Sequence, residues 1–147
     1  MDQEYRQGNF IISTDPKKLD MDQVHSFLVT TYWAREIPKE IVANSFKNSL
    51  AFGVYTGDQQ VGVARVITDY TTFAYLADVF IQPEYRGQGL AKWLIHCIMS
   101  HPKLQGLRRW LLATSDAHGL YGNFGFVQTE SPENFMEIWR PDIYKNV

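Results

Sequence analysis

The residues best suited to chemistry lie in Val79-Phe80-Ile81-Gln82-Pro83-Glu84-Tyr85-Arg86-Gly87-Gln88-Gly89-Leu90-Ala91. An apolar run ends at a proline, two glycines follow, and apolar residues resume at helical spacing. A strand–loop–helix junction of this kind presents free backbone N–H groups at the positive end of a helix dipole. Glycines let an anion approach the backbone, and Arg86 adds a positive charge. The chemistry indicated is the holding of a phosphate or pyrophosphate. The loop is not a P-loop, because no Gly-Lys-Ser or Gly-Lys-Thr follows at the required spacing. It is not the dinucleotide fingerprint either, since Lys92 stands where the third glycine or alanine belongs. The plain alternative is a glycine loop that only turns the chain into a helix.

The surrounding pattern predicts the elements that carry this loop. Phe10 to Thr14 reads as a short strand ended by Asp15-Pro16. Asp20 or Asp22 caps a helix over Met21 to Tyr32, with Val24, Phe27, Leu28 and Thr31 on one face. Pro38 opens a second helix carrying Ile41, Val42, Ser45 and Phe46. Ser49–Thr56 and Gln60–Thr68 read as strands joined by the turn Gly57-Asp58, and Phe73–Gln82 as a third, longer strand. Leu90 to Ser100 switches to helical spacing. Arg108 to Thr114 reads as a strand, Ser115 or Asp116 as the cap of a short helix ending near Gly125, and Phe126–Gln128 with Phe135–Arg140 as a closing pair of strands. Hairpins followed by a strand–helix–strand crossover imply an α/β (α+β) fold. Its central sheet is mixed and mostly antiparallel, of about seven strands, flanked by about four helices.

Arg86-Gly87-Gln88-Gly89-Leu90-Ala91 resembles the acyl-CoA pyrophosphate signature of the GNAT superfamily of N-acyltransferases: Arg or Gln, two residues, Gly, one residue, then Gly or Ala. The approach Asp78 to Tyr85 is similar to that family's. Gly119-Leu120-Tyr121-Gly122-Asn123-Phe124-Gly125-Phe126 looks like its Leu-Tyr-x-x-x-Gly-Phe segment. The two motifs stand in the family's order with one strand between them. The resemblance covers about Ser49 to Phe126, and the first 48 residues fit by pattern alone.

The resemblance implies an N-acetyltransferase that moves an acetyl group from acetyl-CoA to an amine of a small molecule or peptide, by direct attack in a ternary complex. It implies a strand that splays from its neighbour, with the pantetheine arm bonded along Val79, Phe80 and Ile81 like an added strand. The pyrophosphate is then expected on Arg86, Gly87, Gln88, Gly89, Leu90 and Ala91. Thr114 replaces an asparagine that many members place seven positions before the tyrosine, so that cofactor contact differs here. Tyr121 matches the position that often gives a proton to the departing thiolate; the other reading is that it only packs or hydrogen-bonds the cofactor. For the base, three readings stand side by side. Asp78 is a carboxylate inside an apolar strand, either a base or a structural acceptor. His118, one helical turn before Tyr121, is its rival. An ordered water is the third. The acceptor side is expected at Tyr32, Trp33, Arg35 and Tyr70 of the turn Asp69-Tyr70-Thr71-Thr72. A non-catalytic acyl-CoA-binding sensor or assembly domain is the competing functional class.

The bulk properties frame these readings. The chain has 147 residues and a mass of 17.0 kDa, the size of one domain covering 1–147. Its formal charge of -2 argues against nucleic acid as a partner, and the Lys17-Lys18 and Arg108-Arg109 pairs make too small a footprint to change that. No run reaches the roughly 20 apolar residues of a membrane helix. The start lacks the basic and apolar regions of a signal peptide, which predicts a cytoplasmic protein without membrane partners. With one cysteine, Cys97, and scattered histidines, no metal is expected. Strands near the C-terminus could pair with another copy, so a homodimer is a further expectation. Aromatic residues reach 14%, more than a core alone requires, which fits side chains lining an acceptor pocket.

Overall fold

The computed structural model describes residues 1–145. Six strands form one sheet in chain order: β1 (Glu4–Gln7), β2 (Phe10–Ser13), β3 (Leu50–Thr56), β4 (Gln59–Thr68), β5 (Phe73–Ile81) and β6 (Arg109–Leu111). All neighbours are antiparallel except β5 and β6, which are parallel. Helices α1 (Met21–Leu28) and α2 (Lys39–Lys47) cover one face, and α3 (Leu90–Met99) covers the other. A short helix, α4 (His118–Gly122), follows β6. The parallel pair results from the α3 crossover, which returns the chain in the direction of β5.

Two apolar cores lie on opposite sides of the sheet. Val24, Phe27 and Leu28 of α1 join Val42 and Phe46 of α2 over Ala51, Val63 and Phe80. Leu90, Leu94, Ile95 and Ile98 of α3 pack on Phe52, Val54, Val66, Ala74, Leu76 and Ile81. The helical stripes read from the sequence are therefore the faces that bury.

Several boundaries differ from the sequence reading, among them that of β6, which spans Arg109–Leu111 rather than Arg108 to Thr114. β1 was not foreseen, because Glu4, Arg6 and Gln7 lie on an exposed edge and carry no apolar signal. α1 stops at Leu28 rather than Tyr32. The hydroxyls of Thr30 and Thr31 donate back to the carbonyls of Phe27 and Leu28, both at 2.6 Å, and thereby compete with the helix. That early stop frees Tyr32 and Trp33 to lie across the sheet. The closing strands Phe126–Gln128 and Phe135–Arg140 do not form, and the sheet has six strands. Neither segment joins a ladder, and among the described residues no strand lies on the outer side of β6. No described helix is long and apolar enough to cross a membrane.

Candidate active site

The β4–β5 ladder contains a defect that builds the site. Val63 faces Phe80 and Arg65 faces Ala77, so Asp78 and Val79 together oppose Ala64. The bulge is made by Asp78 in the left-handed region, at φ 57°. Asn and Asp tolerate that conformation better than other side chains. One extra residue reverses the alternation of β5. Ala74 and Leu76 point to the α3 core, whereas Phe80 points to α1, with its ring stacked on Phe27 at 4.9 Å. Val79 and Ile81 return to the α3 side.

Asp78 then meets Arg65. Arg65 Nε–H donates to Asp78 Oδ2 at 2.8 Å, and Arg65 Nη1–H donates to Ser49 Oγ at 3.2 Å. The guanidinium lies 5.7 Å from the ring centre of Phe46. The other carboxylate oxygen, Oδ1, accepts from Trp33 Nε1–H at 2.9 Å. Both oxygens of Asp78 are thus held by donors, and its side chain is only 10% exposed. Arg65 was not singled out from the sequence, although a lone charge inside the apolar run Val61-Gly62-Val63-Ala64-Arg65-Val66 signals a buried partner.

Beyond the bulge the sheet opens. β5 and β6 pair only from Phe73–Tyr75 to Arg109–Leu111, and Leu112 to Thr114 continue outside the ladder. Gln82 N–H donates to Val61 O at 2.8 Å, which makes Val61 and Gln82 a bonded pair. By antiparallel alternation the next pair, Gly62 and Ile81, is non-bonded, so the N–H and C=O of Ile81 point into the gap. Arg86 crosses to this edge. Its Nε–H donates to Ile81 O at 2.7 Å, and its guanidinium sits 5.2 Å from the Phe80 ring centre.

The glycine loop closes the open end. Gly87 and Gly89 have φ of 83° and 85°, where an L side chain is strained. Gly89 caps α3 without a side chain, so the first-turn N–H groups of Leu90, Ala91 and Lys92 have no side-chain acceptor. Gln88 Nε2–H donates to Tyr85 O, which steadies the loop. The side chain of Leu90 is buried in the core, and its backbone alone is offered to a ligand.

On the far side of the gap stands α4. Thr114 Oγ1 accepts from the N–H groups of Ala117 at 3.0 Å and Asp116 at 3.4 Å. Thr114 therefore steadies the entry to α4, the task that the sequence reading gave to Ser115 or Asp116. Tyr121 packs edge-on against Phe126 at 6.0 Å. Burial, then the nearby Tyr32 and Asp116, push its pKa up to about 12. His118 is exposed on the same helix.

The expected acceptor residues divide. Tyr32 and Trp33 meet edge to face at 5.0 Å, and Ser115 N–H donates to Tyr32 Oη at 3.2 Å. The loop after α1 thus reaches both Asp78 on β5 and the segment after β6. Arg35 is exposed in the same loop. Tyr70 does not join them. It lies in the β4–β5 turn, with Lys103 Nζ 5.8 Å from its ring centre. With the bulge allowed for, the β5 end of that turn is seven ladder steps from Ile81, roughly 23 Å. Among the described residues no group of three or more His, Cys, Asp or Glu side chains could hold a metal.

Comparison with known proteins agrees with this geometry. The sequence profile of the family described as Acetyltransferase (GNAT) domain matches residues 47–128. A Gibberella zeae protein provisionally named an acetyltransferase is 34% identical, with 82% of this chain and 80% of that protein aligned. A crystal structure from Xanthomonas campestris pv. campestris, provisionally assigned as a GNAT-family acetyltransferase, is 47% identical. It superposes with a TM-score of 0.92 over 95% of this chain and 99% of its own. A GNAT family acetyltransferase from Elizabethkingia anophelis, solved with acetyl-CoA bound, shares the fold at 14% identity and a TM-score of 0.65, over 91% of this chain and 90% of that one.

Proposed function

This chain belongs to the GNAT acetyltransferase family, and from that premise we propose that it transfers the acetyl group of acetyl-CoA to an amine of a small molecule or peptide. The observation that carries this reading is the parting of β5 from β6 beside an uncapped helix N-terminus. The residues fit the co-substrate in two places. The first-turn amides of α3, with Gly87 and Gly89 at positive φ, suit a pyrophosphate. The N–H of Ile81 suits an amide of an extended arm in the gap. Acetyl-CoA bound there would supply an activated acyl thioester; the Elizabethkingia protein of the same fold was solved with acetyl-CoA bound.

Tyr121 donates the hydrogen bond that a departing thiolate needs. A phenol near 12 stays protonated at neutral pH, but it is a weak acid. Full transfer to the departing thiolate is uphill, since an alkyl thiol is a stronger acid than this phenol. Tyr121 therefore acts mainly by stabilising charge as it develops on sulfur, the kind of electrostatic contribution that depends on a pre-placed donor. Asp78 works through Trp33. Its oxygens hold the indole N–H and the Arg65 guanidinium, and so it positions the acceptor wall rather than taking the amine's proton. His118 or solvent carries that proton, since both are open to the surface. Tyr32 and Trp33 line the acceptor side, with Arg35 at its rim.

The test is release of CoA thiol from acetyl-CoA across a panel of small and peptidyl amines, with CoA binding followed in parallel by thermal unfolding. Ligand at 100 times its Kd is expected to stabilise the fold by about 2.7 kcal/mol. Turnover on at least one amine is expected. Binding without turnover on any amine would instead mark a sensor or assembly domain, and no binding at all would remove the reading.

A further inference from the structure

The chain after β6 is held by two kinds of contact. Its apolar side chains Leu112, Tyr121 and Phe124 pack on the core beneath α3. Its polar contacts are nearly all local: Thr114 Oγ1 accepts from Asp116 N–H and Ala117 N–H, and Tyr121 N–H donates to Ala117 O at 3.2 Å. Among the described residues, one side-chain hydrogen bond joins this stretch to another element. Ser115 N–H donates to Tyr32 Oη, across 83 positions of sequence.

That bond falls where support is needed. α4 has five residues, and its N-cap, Ala117, makes no side-chain hydrogen bond. So short a helix does not hold itself in water, and its place depends on what it is fastened to. The sheet gives no direct support, because β5 and β6 pair only through Phe73–Tyr75 and Arg109–Leu111 and have parted before α4 begins. Yet Tyr121 has to reach a sulfur at the end of an arm laid along β5. Tyr32 can carry this span. Its side chain is half exposed, but Trp33 braces its ring edge-on at 5.0 Å and 85°. Trp33 Nε1–H is fixed in turn by Asp78 Oδ1 at the bulge of β5. Contacts therefore run from Asp78 through Trp33 and Tyr32 to Ser115, from β5 to the entry of α4, without passing through β6.

We infer that Tyr32 is a positioning residue for Tyr121: its phenol oxygen clasps the chain entering α4 and sets the distance of Tyr121 from β5 across the open gap. The inference rests on the transferase reading above and gives Tyr32 a task beyond lining the acceptor wall. The two phenols share one environment, since burial first and the neighbouring Tyr32 next push Tyr121 up to about 12.

The experiment uses Tyr32→Phe, which keeps the ring on Trp33 and removes the acceptor of the Ser115 amide. Hydrogen exchange needs no turnover, and the Ser115 N–H is expected to exchange roughly 10-fold faster in the variant. With acetyl-CoA and the amine of the panel that turns over fastest, kcat is expected to fall about 10-fold at unchanged CoA affinity. In a Tyr121→Phe background the same substitution is expected to cost nothing further, because no donor is left to position. Equal Ser115 exchange in the two proteins overturns the clasp. An unchanged kcat, a kcat loss of the same size with and without the Tyr121 hydroxyl, or an effect confined to the KM of the amine overturns the positioning role. A wild type that turns over no amine removes the transferase reading and the role of Tyr32 with it, whereas the other failures remove the role of Tyr32 alone.

Discussion

Trp33 Nε1–H donates to Asp78 Oδ1 at 2.9 Å, across 45 positions of sequence. That bond fastens the loop after α1 to the one bulge of β5, and Arg65 completes it from β4. The loop after α1, the bulge of β5 and the β4 arginine are therefore joined through a single, largely buried carboxylate.

Asp78→Asn tests the structural role. Asn keeps an acceptor oxygen and tolerates positive φ, so the substitution mainly removes the charge opposite Arg65. The largely buried guanidinium then lacks its counter-charge, and either Arg65 Nε–H or Trp33 Nε1–H loses its acceptor, which together costs about 3 kcal/mol. Urea unfolding is expected to show that loss. A large fall in kcat at unchanged stability would identify Asp78 as the base instead.

Tyr121→Phe keeps the ring against Phe126 and removes the donor. The expected outcome is a fall in kcat of about 10²-fold with CoA affinity unchanged, read from steady-state rates and CoA titration. Because the phenol is pushed above its ordinary value, the wild-type rate should show no loss from its ionisation through pH 10.

Gly89→Ala separates backbone conformation from space. An added Cβ would meet nothing within 4 Å, so the cost comes from φ of 85° and amounts to about 1–2 kcal/mol. The first turn of α3 is expected to shift, and CoA titration should show weaker binding. Tighter or equal binding would show that these amides do not hold the pyrophosphate.

His101 predicts acid sensitivity. It is 2% exposed, its Nδ1 accepts from Lys103 N–H at 3.1 Å, and its ring lies edge-on to Phe52. Burial first, then Lys103 and the N-terminal ammonium, lower its pKa. The folded state thus binds this proton less readily than the unfolded chain. The stability it contributes is full above the unfolded value near 6.5 and is lost as pH falls through the lower folded value. Unfolding measured from pH 7.5 to 5 should show that decline, and His101→Asn should flatten it.

Much of this protein was legible in its residues. The apolar stripes of α1, α2 and α3 became the buried faces, because a helix must hide a contiguous side. The glycine loop was recognisable for a similar reason: positive φ and a free helix start are local demands that leave local signatures. Tyr121 was singled out only through the resemblance of its segment to the family motif. Asp78 was visible as an odd carboxylate in an apolar strand, but its partners were not. Arg65 lies 13 positions away and Trp33 45, and only the bulge opposite Ala64 turns the three toward one another. Tyr70 was grouped with the acceptor side because the resemblance places later loops there; in the fold its turn lies at the far end of β5, beside Lys103. The apolar pattern of 135–139 was equally plain as a strand, yet a strand exists only where another edge accepts its hydrogen bonds. Local chemistry was written in the residue types. Which groups meet, and which edge remains open, depended on long-range pairing that no window of sequence contains.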